Sequence, residues 1–450
     1  MTGPTRIVEA VLPEDLELTP ELEPDAAPQP VEAPPPEVLP GQAAHDHGAL
    51  SFLRVFKHRN YRLFFSGQLV SLMGNWITSV SQGWLVYDLT HSPLLLGVTS
   101  FAGAAPIFFF SAFGGAIADR FDHRRMLLIT QSLACAQSAL LAILTLTGMI
   151  RIWEIVALAL FQGFVYAFDV PIRQAMTVEM VGKEDLRHAI SLNAMMFNLA
   201  RVTGPPVAGI LIAIMGVGVC FALDAVSYGA VILSLSMMAF AARPKRRHSD
   251  AIRSVILGAR YVWGTRDIRI SLILVSVCSA FGAAYLTLLP AFARDVLHQD
   301  SQGLGYLYGG VGAGALLGAY ALARVPDRHL MMTPLVAALG FGLSLIAFSQ
   351  SHIFWLSLLL LTPCSFSLML LGGATNSIVQ LVSRDDMRGR VVAFYAMAFL
   401  GMMPWGSLIL GFVAEHFGTS LAVTFGGLAC ILGAAFAWNG RRDAGRMQAA

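Results

Sequence analysis

Apolar runs about twenty residues long recur along the chain, separated by short charged or glycine-bearing gaps. Twelve such runs fall at about 63–87, 94–118, 126–148, 153–175, 189–213, 218–241, 268–293, 302–323, 331–350, 352–373, 389–413 and 418–438. A helix needs roughly 20 mostly apolar residues to cross a bilayer. Backbone in lipid must satisfy its own hydrogen bonds, so helices are the element for runs of this length. The pattern predicts an all-α polytopic membrane protein with twelve transmembrane helices. Composition agrees: of 450 residues, 56% are hydrophobic and 13% charged, against about 25% charged in soluble domains.

The start of the chain breaks the pattern. Residues 1–50 are acidic and proline-rich, with Arg6 as their only basic residue. They contain no apolar core of a cleavable signal peptide and too little apolar surface to fold, so a disordered cytoplasmic tail is expected there. With the N-terminus inside and twelve spans, every Lys and Arg except Arg151, Arg201 and Arg294 falls on the inner side. That bias predicts both termini in the cytoplasm.

The longest gap between spans divides them six and six. The expected organisation is a first half at 51–242, a basic linker at 243–267, a second half at 268–440 and a short tail at 441–450. Within the linker, Ile252, Val255, Ile256, Ala259 and Val262–Trp263 share one helical face, which predicts an amphipathic helix at the cytoplasmic surface. The halves echo each other. Val181-Gly182-Lys183-Glu184-Asp185-Leu186-Arg187 precedes the fifth span, and Val382-Ser383-Arg384-Asp385-Asp386-Met387-Arg388 precedes the eleventh. Asp88-Leu89-Thr90 likewise parallels Asp295-Val296-Leu297. Two pseudo-symmetric six-helix halves around a central pathway are expected.

Between the second and third spans lies Gly115-Ala116-Ile117-Ala118-Asp119-Arg120-Phe121-Asp122-His123-Arg124-Arg125. Further segments are Asn60-Tyr61-Arg62-Leu63-Phe64, Trp84-Leu85-Val86-Tyr87-Asp88-Leu89-Thr90, Phe168-Asp169-Val170-Pro171-Ile172-Arg173-Gln174-Ala175, Leu288-Leu289-Pro290-Ala291-Phe292-Ala293-Arg294-Asp295 and Arg388-Gly389-Arg390-Val391. On these segments the chain resembles the major facilitator superfamily, over about residues 50–440. Within it, the chain resembles the enterobactin-exporter-like branch that also holds macrolide-efflux-type proteins. The resemblance implies the major facilitator fold, alternating access, and a gate at Gly115, Asp119, Arg120, Arg124 and Arg125. In the family the matching aspartate docks at the start of the eleventh helix, here near Gly389–Val391. Free backbone N–H groups there favour negative charge. The family has glycine where this chain has Asp122, a residue that tolerates turns. Gly204, Pro205 and Gly209 on the fifth span match an exporter pattern of kink and small residues, with Ala208 replacing one glycine.

Ionisable groups inside spans are few, and each costs roughly 2.5–3.5 kcal/mol at a helix centre. They are Asp169, with Arg173 toward the end of the same span, Arg201 and Asp224. Asp169 and Arg201 are offset axially by about 7–8 Å. Two readings stay open. In one, Asp169, Asp224 or both carry protons while Arg201 tunes their affinity; in the other, Asp169–Arg201 is a structural ion pair and Asp224 caps an exposed helix end. Gln68, Asn75, Gln82 and, on a shifted face, Trp76 make a polar stripe on the first span. Asn198 and Tyr285 are expected to join it around a cavity, although such side chains also glue helices together. Gly310, Gly314 and Gly318 form a close-packing stripe.

Cys135, Cys220, Cys278, Cys364 and Cys430 fall in apolar spans without metal or disulfide spacing. The sequence shows no metal cluster, nucleotide-binding loop, catalytic triad or nucleic-acid motif, so neither cofactor nor enzyme activity is expected. The reading is a monomeric, proton-coupled exporter of a small organic molecule, such as a siderophore, drug or amphiphilic metabolite, in a bacterial cytoplasmic membrane. The alternatives are an importer and a non-transporting sensor or scaffold.

Overall fold

The computed structural model describes residues 51–118, 121–182, 184–238 and 251–449. Asp119 and Arg120, the expected tail and part of the linker lie outside the described residues.

Helices form at all twelve apolar runs: α1 (Arg59–Thr90), α2 (Pro93–Ala118), α3 (His123–Leu146), α4 (Ile152–Val181), α5 (Leu186–Met215) and α6 (Val217–Ser236), then α7 (Arg266–Val296), α8 (Ser301–Leu322), α9 (Thr333–Ser349), α10 (Phe354–Val382), α11 (Arg388–Phe417) and α12 (Thr419–Ala449). Among the described residues, nine of these contain spans long and apolar enough to cross a membrane; α9 is shorter, and α1 and α8 are less apolar. Glutamine and asparagine on α1 and glycine on α8 lower their hydropathy. No strand forms among the described residues. The lipid-facing surfaces carry exposed Val226, Leu233, Val336, Leu359 and Leu432, side chains that hydrocarbon solvates as well as a protein core does.

Connections are short. Gly216 links α5 to α6 with φ +81°, and Gly418 links α11 to α12 with φ +90°, a region that glycine enters without a Cβ penalty. Two helices are irregular. α7 widens into π-helical turns at Cys278–Ala283 and Phe292–Val296, and α11 is interrupted between Phe399 and Met403.

With an even number of passes, both ends of the bundle lie on one face, which also carries the arginine-rich loops. We call it the basic face and its opposite the far face. Close approaches between the first six helices and the last six lie toward the far face. A Cβ on Gly97 (α2) would come within 2.4 Å of the Ser407 carbonyl oxygen (α11), and one on Gly209 (α5) within 2.6 Å of the Ser301 carbonyl oxygen (α8).

Two short helices dock on the basic face. A 3-10 helix, Ser51–Lys57, precedes α1, and a linker helix, Ala251–Gly264, precedes α7. The linker helix packs Gly258 against Phe394 and Arg390 at the start of α11, and Tyr261 Oη accepts from the Arg384 N–H at 3.1 Å. Its buried side is therefore Gly258 and Val262, while Val255, Ile256 and Trp263 are exposed. The apolar face expected from sequence is split between protein and surroundings.

Candidate functional site

A cavity of about 550 Å³ opens within the first six helices, in their middle and basic-face portions. It is lined from α1 by Phe64, Gln68, Asn75, Trp76 and Ser79, from α4 by Tyr166, Arg173, Gln174 and Thr177, and from α5 by Asn193, Met196 and Phe197. Gln68, Asn75 and Trp76 thus sit where the α1 stripe puts them. Gln82, Asn198 and Tyr285 do not line it. Asn198 turns back to its own helix, donating to the Ala194 carbonyl at 2.8 Å. Tyr285 is buried among the aromatic side chains of α9, Phe341 and Phe348. Tyr166 and Asn193 were missed. An i, i+4 relation to Gln162 on α4 and to Phe197 on α5 marks both as members of mixed polar faces.

Gly204 explains the position of Trp76. A Cβ there would come within 2.6 Å of the Trp76 Cβ, so glycine lets the indole lie between α1 and α5, edge-on to Phe197. Pro205 and Gly209 meet α8 instead. The Pro205 carbonyl and Gly209 backbone approach Gly305, and Ser301 Oγ donates to the Gly209 carbonyl at 3.3 Å. The neighbour that needs small residues on α5 is therefore α8, across the seam between the two sets of helices. α8 presents a second glycine row inward: Gly310, Gly314 and Gly318 abut the carbonyls of Leu358, Thr362 and Phe366 on α10.

Behind the cavity wall runs a file of polar groups. Tyr166 and Tyr228 hydroxyls donate to Asn75 Oδ1 at 3.0 and 2.6 Å, and Gln162 Nε2 donates to Tyr228 Oη at 3.1 Å. One turn toward the far face on α6 is Asp224, 1% exposed. It accepts from Ser138 Oγ at 2.6 Å and Ser227 Oγ at 3.4 Å, and Gly74 on α1 leaves room for its Oδ1. Among the described residues no cation pairs with it. Asp224 is therefore a buried carboxylate with neutral partners, two turns into α6, and not a cap on an exposed helix end.

Toward the basic face, Asp169 is fully buried and bonds to Arg173. It also accepts from Thr130 Oγ1 at 2.8 Å and Gln131 Nε2 at 2.7 Å. The Asp169–Arg201 ion pair, one of the two readings left open by the sequence, does not form. Axial offset was compatible with it, but Arg173 lies four residues on along the same helix face and reaches the carboxylate first. Arg173 lines the cavity and so exposes this ion pair to its contents.

On the far face, cross-seam bonds join the two repeated motifs. Asp88 pairs with Arg294, and Tyr87 Oη donates to Asp295. Glu415, near the end of α11, accepts from Ser92 Oγ at 2.8 Å and the Leu94 N–H at 3.2 Å, placing a carboxylate at the positive N-terminus of α2. On the basic face, Arg124 Nε and Nη2 donate to the Leu235 and Ser236 carbonyls at 2.8 and 2.6 Å, closing the end of α6. Asp122 Oδ1 accepts from the Arg125 N–H at 2.8 Å and caps α3. An aspartate stands there because a helix begins there. Gly115 lies in the last turn of α2. Asp185 caps no hydrogen bond of α5 with its side chain; it bonds to Lys57 Nζ at 2.7 Å and His58 Nε2 at 2.9 Å, which hold its carboxyl down at about 2.

Among the described residues no group of His, Cys, Asp and Glu is placed to hold a metal. The arrangement is a cavity, a polar file and a closed far face, a transport geometry rather than a catalytic one.

Solved structures share this fold. A bacterial homologue of the human lysosomal transporter Spinster, in an inward-facing and unoccupied conformation, aligns with a TM-score of 0.68 at 11% identity, covering 88% of this chain and 98% of that one. A D-xylose–proton symporter aligns with a TM-score of 0.64 at 15% identity, covering 86% and 98%. By sequence, the staphyloferrin A transporter of Staphylococcus aureus is 27% identical over 379 residues, 82% of this chain and 93% of that one. The multidrug efflux pump Tap of Mycolicibacterium fortuitum is 27% identical over 369 residues, 79% and 89%. The enterobactin exporter EntS of Shigella boydii is 23% identical over 299 residues, 65% and 71%. The model of the transmembrane secretion effector family matches residues 50–446, and the chain belongs to that family, an integral membrane transporter of the major facilitator superfamily.

Proposed function

We propose that this transporter exports a small organic molecule from the cytoplasm of a bacterium in exchange for protons, as a monomer in the cytoplasmic membrane. The observation that carries the coupling is Asp224. A buried carboxylate without a cation is costly while ionised and is at ease when protonated. It lies one turn from Tyr228 in a hydrogen-bonded file that reaches the cavity wall at Tyr166. Asp169 has its own cation, Arg173, and holds that ion pair against the cavity.

The positive-inside bias supports a cytoplasmic basic face. The cavity then faces the cytoplasm while the far face is closed. Relatives named as an efflux pump and an exporter support outward movement, as does the small-residue face of α5. Alternating access would exchange one helix-terminus contact for another. Glu415 at the start of α2 holds the far face shut, and Asp119 at the start of α11 would hold the basic face shut. Gly115, Arg120, Arg124 and Arg125 would shape that second closure.

Proteoliposomes loaded with a pH-sensitive dye test the coupling, with enterobactin and amphiphilic drugs as the added panel. Substrate-triggered proton flux is expected in the wild type, with a loss of tenfold or more in Asp224→Asn and in Asp119→Ala. Undiminished flux in Asp224→Asn would remove that residue from the coupling path.

A further inference from the structure

The asparagines around the cavity have their acceptor sides already filled. Asn75 Oδ1 accepts from Tyr166 Oη at 3.0 Å and from Tyr228 Oη at 2.6 Å. A carboxamide oxygen has two lone pairs, so Asn75 keeps only its Nδ2 for a guest, and among the described residues no group takes those hydrogens. Asn193 Oδ1 accepts from Tyr61 Oη at 3.0 Å, which leaves its Nδ2 unclaimed beside the cavity. Arg173 gives Nη2 to Asp169 and lines the cavity with the rest of a guanidinium that carries five N–H donors. Gln68, buried in the same wall, has an Nε2 without a partner. Among the described residues that line the cavity there is no carboxylate. Asp169, fully buried, stands behind Arg173 and offsets its charge.

The donors fall at two levels. At 1.5 Å per residue, Gln68, Arg173 and Asn193 lie about 10–14 Å in from the basic-face ends of α1, α4 and α5. Asn75, two turns beyond Gln68 on α1, lies about 10 Å deeper. Trp76 and Phe197, edge-on to each other with ring centres 5.9 Å apart, supply apolar surface beside them. A buried donor without an acceptor is costly, and a guest that brings an acceptor removes that cost. A guest that brings only donors adds its own unmet hydrogens. We propose that Asn75 at the deep level, with Asn193 and Arg173 at the outer level, selects cargo by hydrogen-bond polarity. The cargo is an uncharged molecule with an aromatic or apolar body and an acceptor oxygen toward each end, and organic ammonium ions of the same size are refused. The inference rests on the transport reading for the word cargo and adds to it a chemical class. Tyr61, Tyr166 and Tyr228 set the polarity, because each claims an asparagine oxygen that a guest would otherwise meet.

Three probes on one ring system test this with the full-length protein in phosphatidylcholine nanodiscs: 2,6-diacetylnaphthalene, 2,6-bis(aminomethyl)naphthalene and 2,6-diethylnaphthalene. Binding is read by equilibrium dialysis against empty discs, which removes partition into lipid. The diketone is expected to bind about tenfold or more tightly than the diammonium ion, a difference of about 1.4 kcal/mol or more. Asn75→Asp and Asn193→Asp each keep the oxygen that the tyrosines use and replace the free amide N–H groups with a carboxylate oxygen. Each is expected to lower the ratio of diketone to diammonium affinity about tenfold or more. A wild-type protein that binds the diammonium ion as tightly as the diketone would overturn the proposal, and so would a ratio unchanged in either variant. Binding of the diethyl compound and an unchanged melting temperature show that a variant is folded, and the wild-type comparison stands without either variant. No gradient or flux enters the measurement, so its failure is distinct from a failure of proton-coupled transport.

Discussion

In α1–α6, Asp169, Arg173, Arg201 and Asp224 stand within the membrane-spanning helices, whereas α7–α12 carry charged side chains only near their ends. The cores differ in the same sense. One apolar cluster runs through α7–α12, with Tyr285, Phe292, Phe341 and Phe348 at its centre, and α1 and α5 insert Ile77, Val80, Ala208 and Ile212 into its edge. The first six helices hold smaller separate clusters, one around Tyr61 and Phe64, another around Val86 and Phe221, a third around Tyr228. Between them runs the polar file. Apolar packing is non-directional and tolerant of small shifts, while a buried polar network keeps its value only if every member stays bonded. The chain thus confines its charges deep within spans to one side of the seam and fills the other side with a continuous apolar core.

Asp169 offers the largest test of that contrast. Asp169→Asn leaves Arg173 without its buried partner and is expected to cost about 3–5 kcal/mol, with Asp169→Asn/Arg173→Leu recovering most of the loss. Thermal unfolding in detergent reads both, and a mild single variant would show that the polar file is not a structural element of the first half. In the second half the sensitive positions are small residues. Gly314→Ala puts a Cβ within 2.1 Å of the Thr362 carbonyl oxygen, backbone against backbone, and is expected to cost roughly 1–3 kcal/mol. Gly229→Ala on α6 meets nothing within 4 Å and serves as the neutral control.

The far-face bonds should matter less to stability than to the balance between conformations. Asp88 and Arg294 are partly exposed, a class worth about 0.2–1 kcal/mol. Glu415→Gln together with Asp88→Ala is expected to raise the far-face-open population several-fold, measured as spin-label distances between the ends of α2 and α11. No change in those distances would deny the bonds a part in closure. The smallest effect concerns Asp185. Its carboxyl falls from 3.8 to about 2 beside Lys57 and His58. A depressed carboxyl stabilises fully above its unfolded value and loses that contribution as pH falls through the folded one. Docking of Ser51–Lys57 should therefore be intact above about pH 4 and weaken toward pH 2, followed by hydrogen exchange of that helix, with Asp185→Asn insensitive across the window. An equal pH response in Asp185→Asn would assign the change to another group.

The helices were legible because lipid imposes a length and an apolarity that sequence displays directly. The site was legible in part. Gln68, Asn75 and Trp76 recur along one side of α1, and that side is the cavity wall. Asp224 and Asp169 stood out as intramembrane acids, yet their partners did not. Axial offset cannot say which way a side chain points around its helix, so it puts Arg201 within reach of Asp169 although Arg173, at i+4, holds the carboxylate. Tyr285 read as a polar lining residue because its hydroxyl is visible in sequence and its burial is not. The glycines of α8 that meet α5, Gly305, Gly309 and Gly312, have no regular spacing and do not stand out beside the evenly spaced Gly310, Gly314 and Gly318. Their function is to admit α5, and a partner in space leaves no period in a single sequence.

The two short docked helices carry a consequence for how the chain can be divided. Ser51–Lys57 grips the loop before α5 through Asp185, and the linker helix grips the loop before α11 through Tyr261 and Arg384. These are matching positions in the repeat, so each set of six helices has its own leader, built from the segment just ahead of it. A polypeptide split between Met238 and Ala251 gives two fragments that each keep their leader, and such fragments should reassemble when co-expressed. A split after Gly264 leaves the second leader on the wrong fragment, and complementation should fail there first.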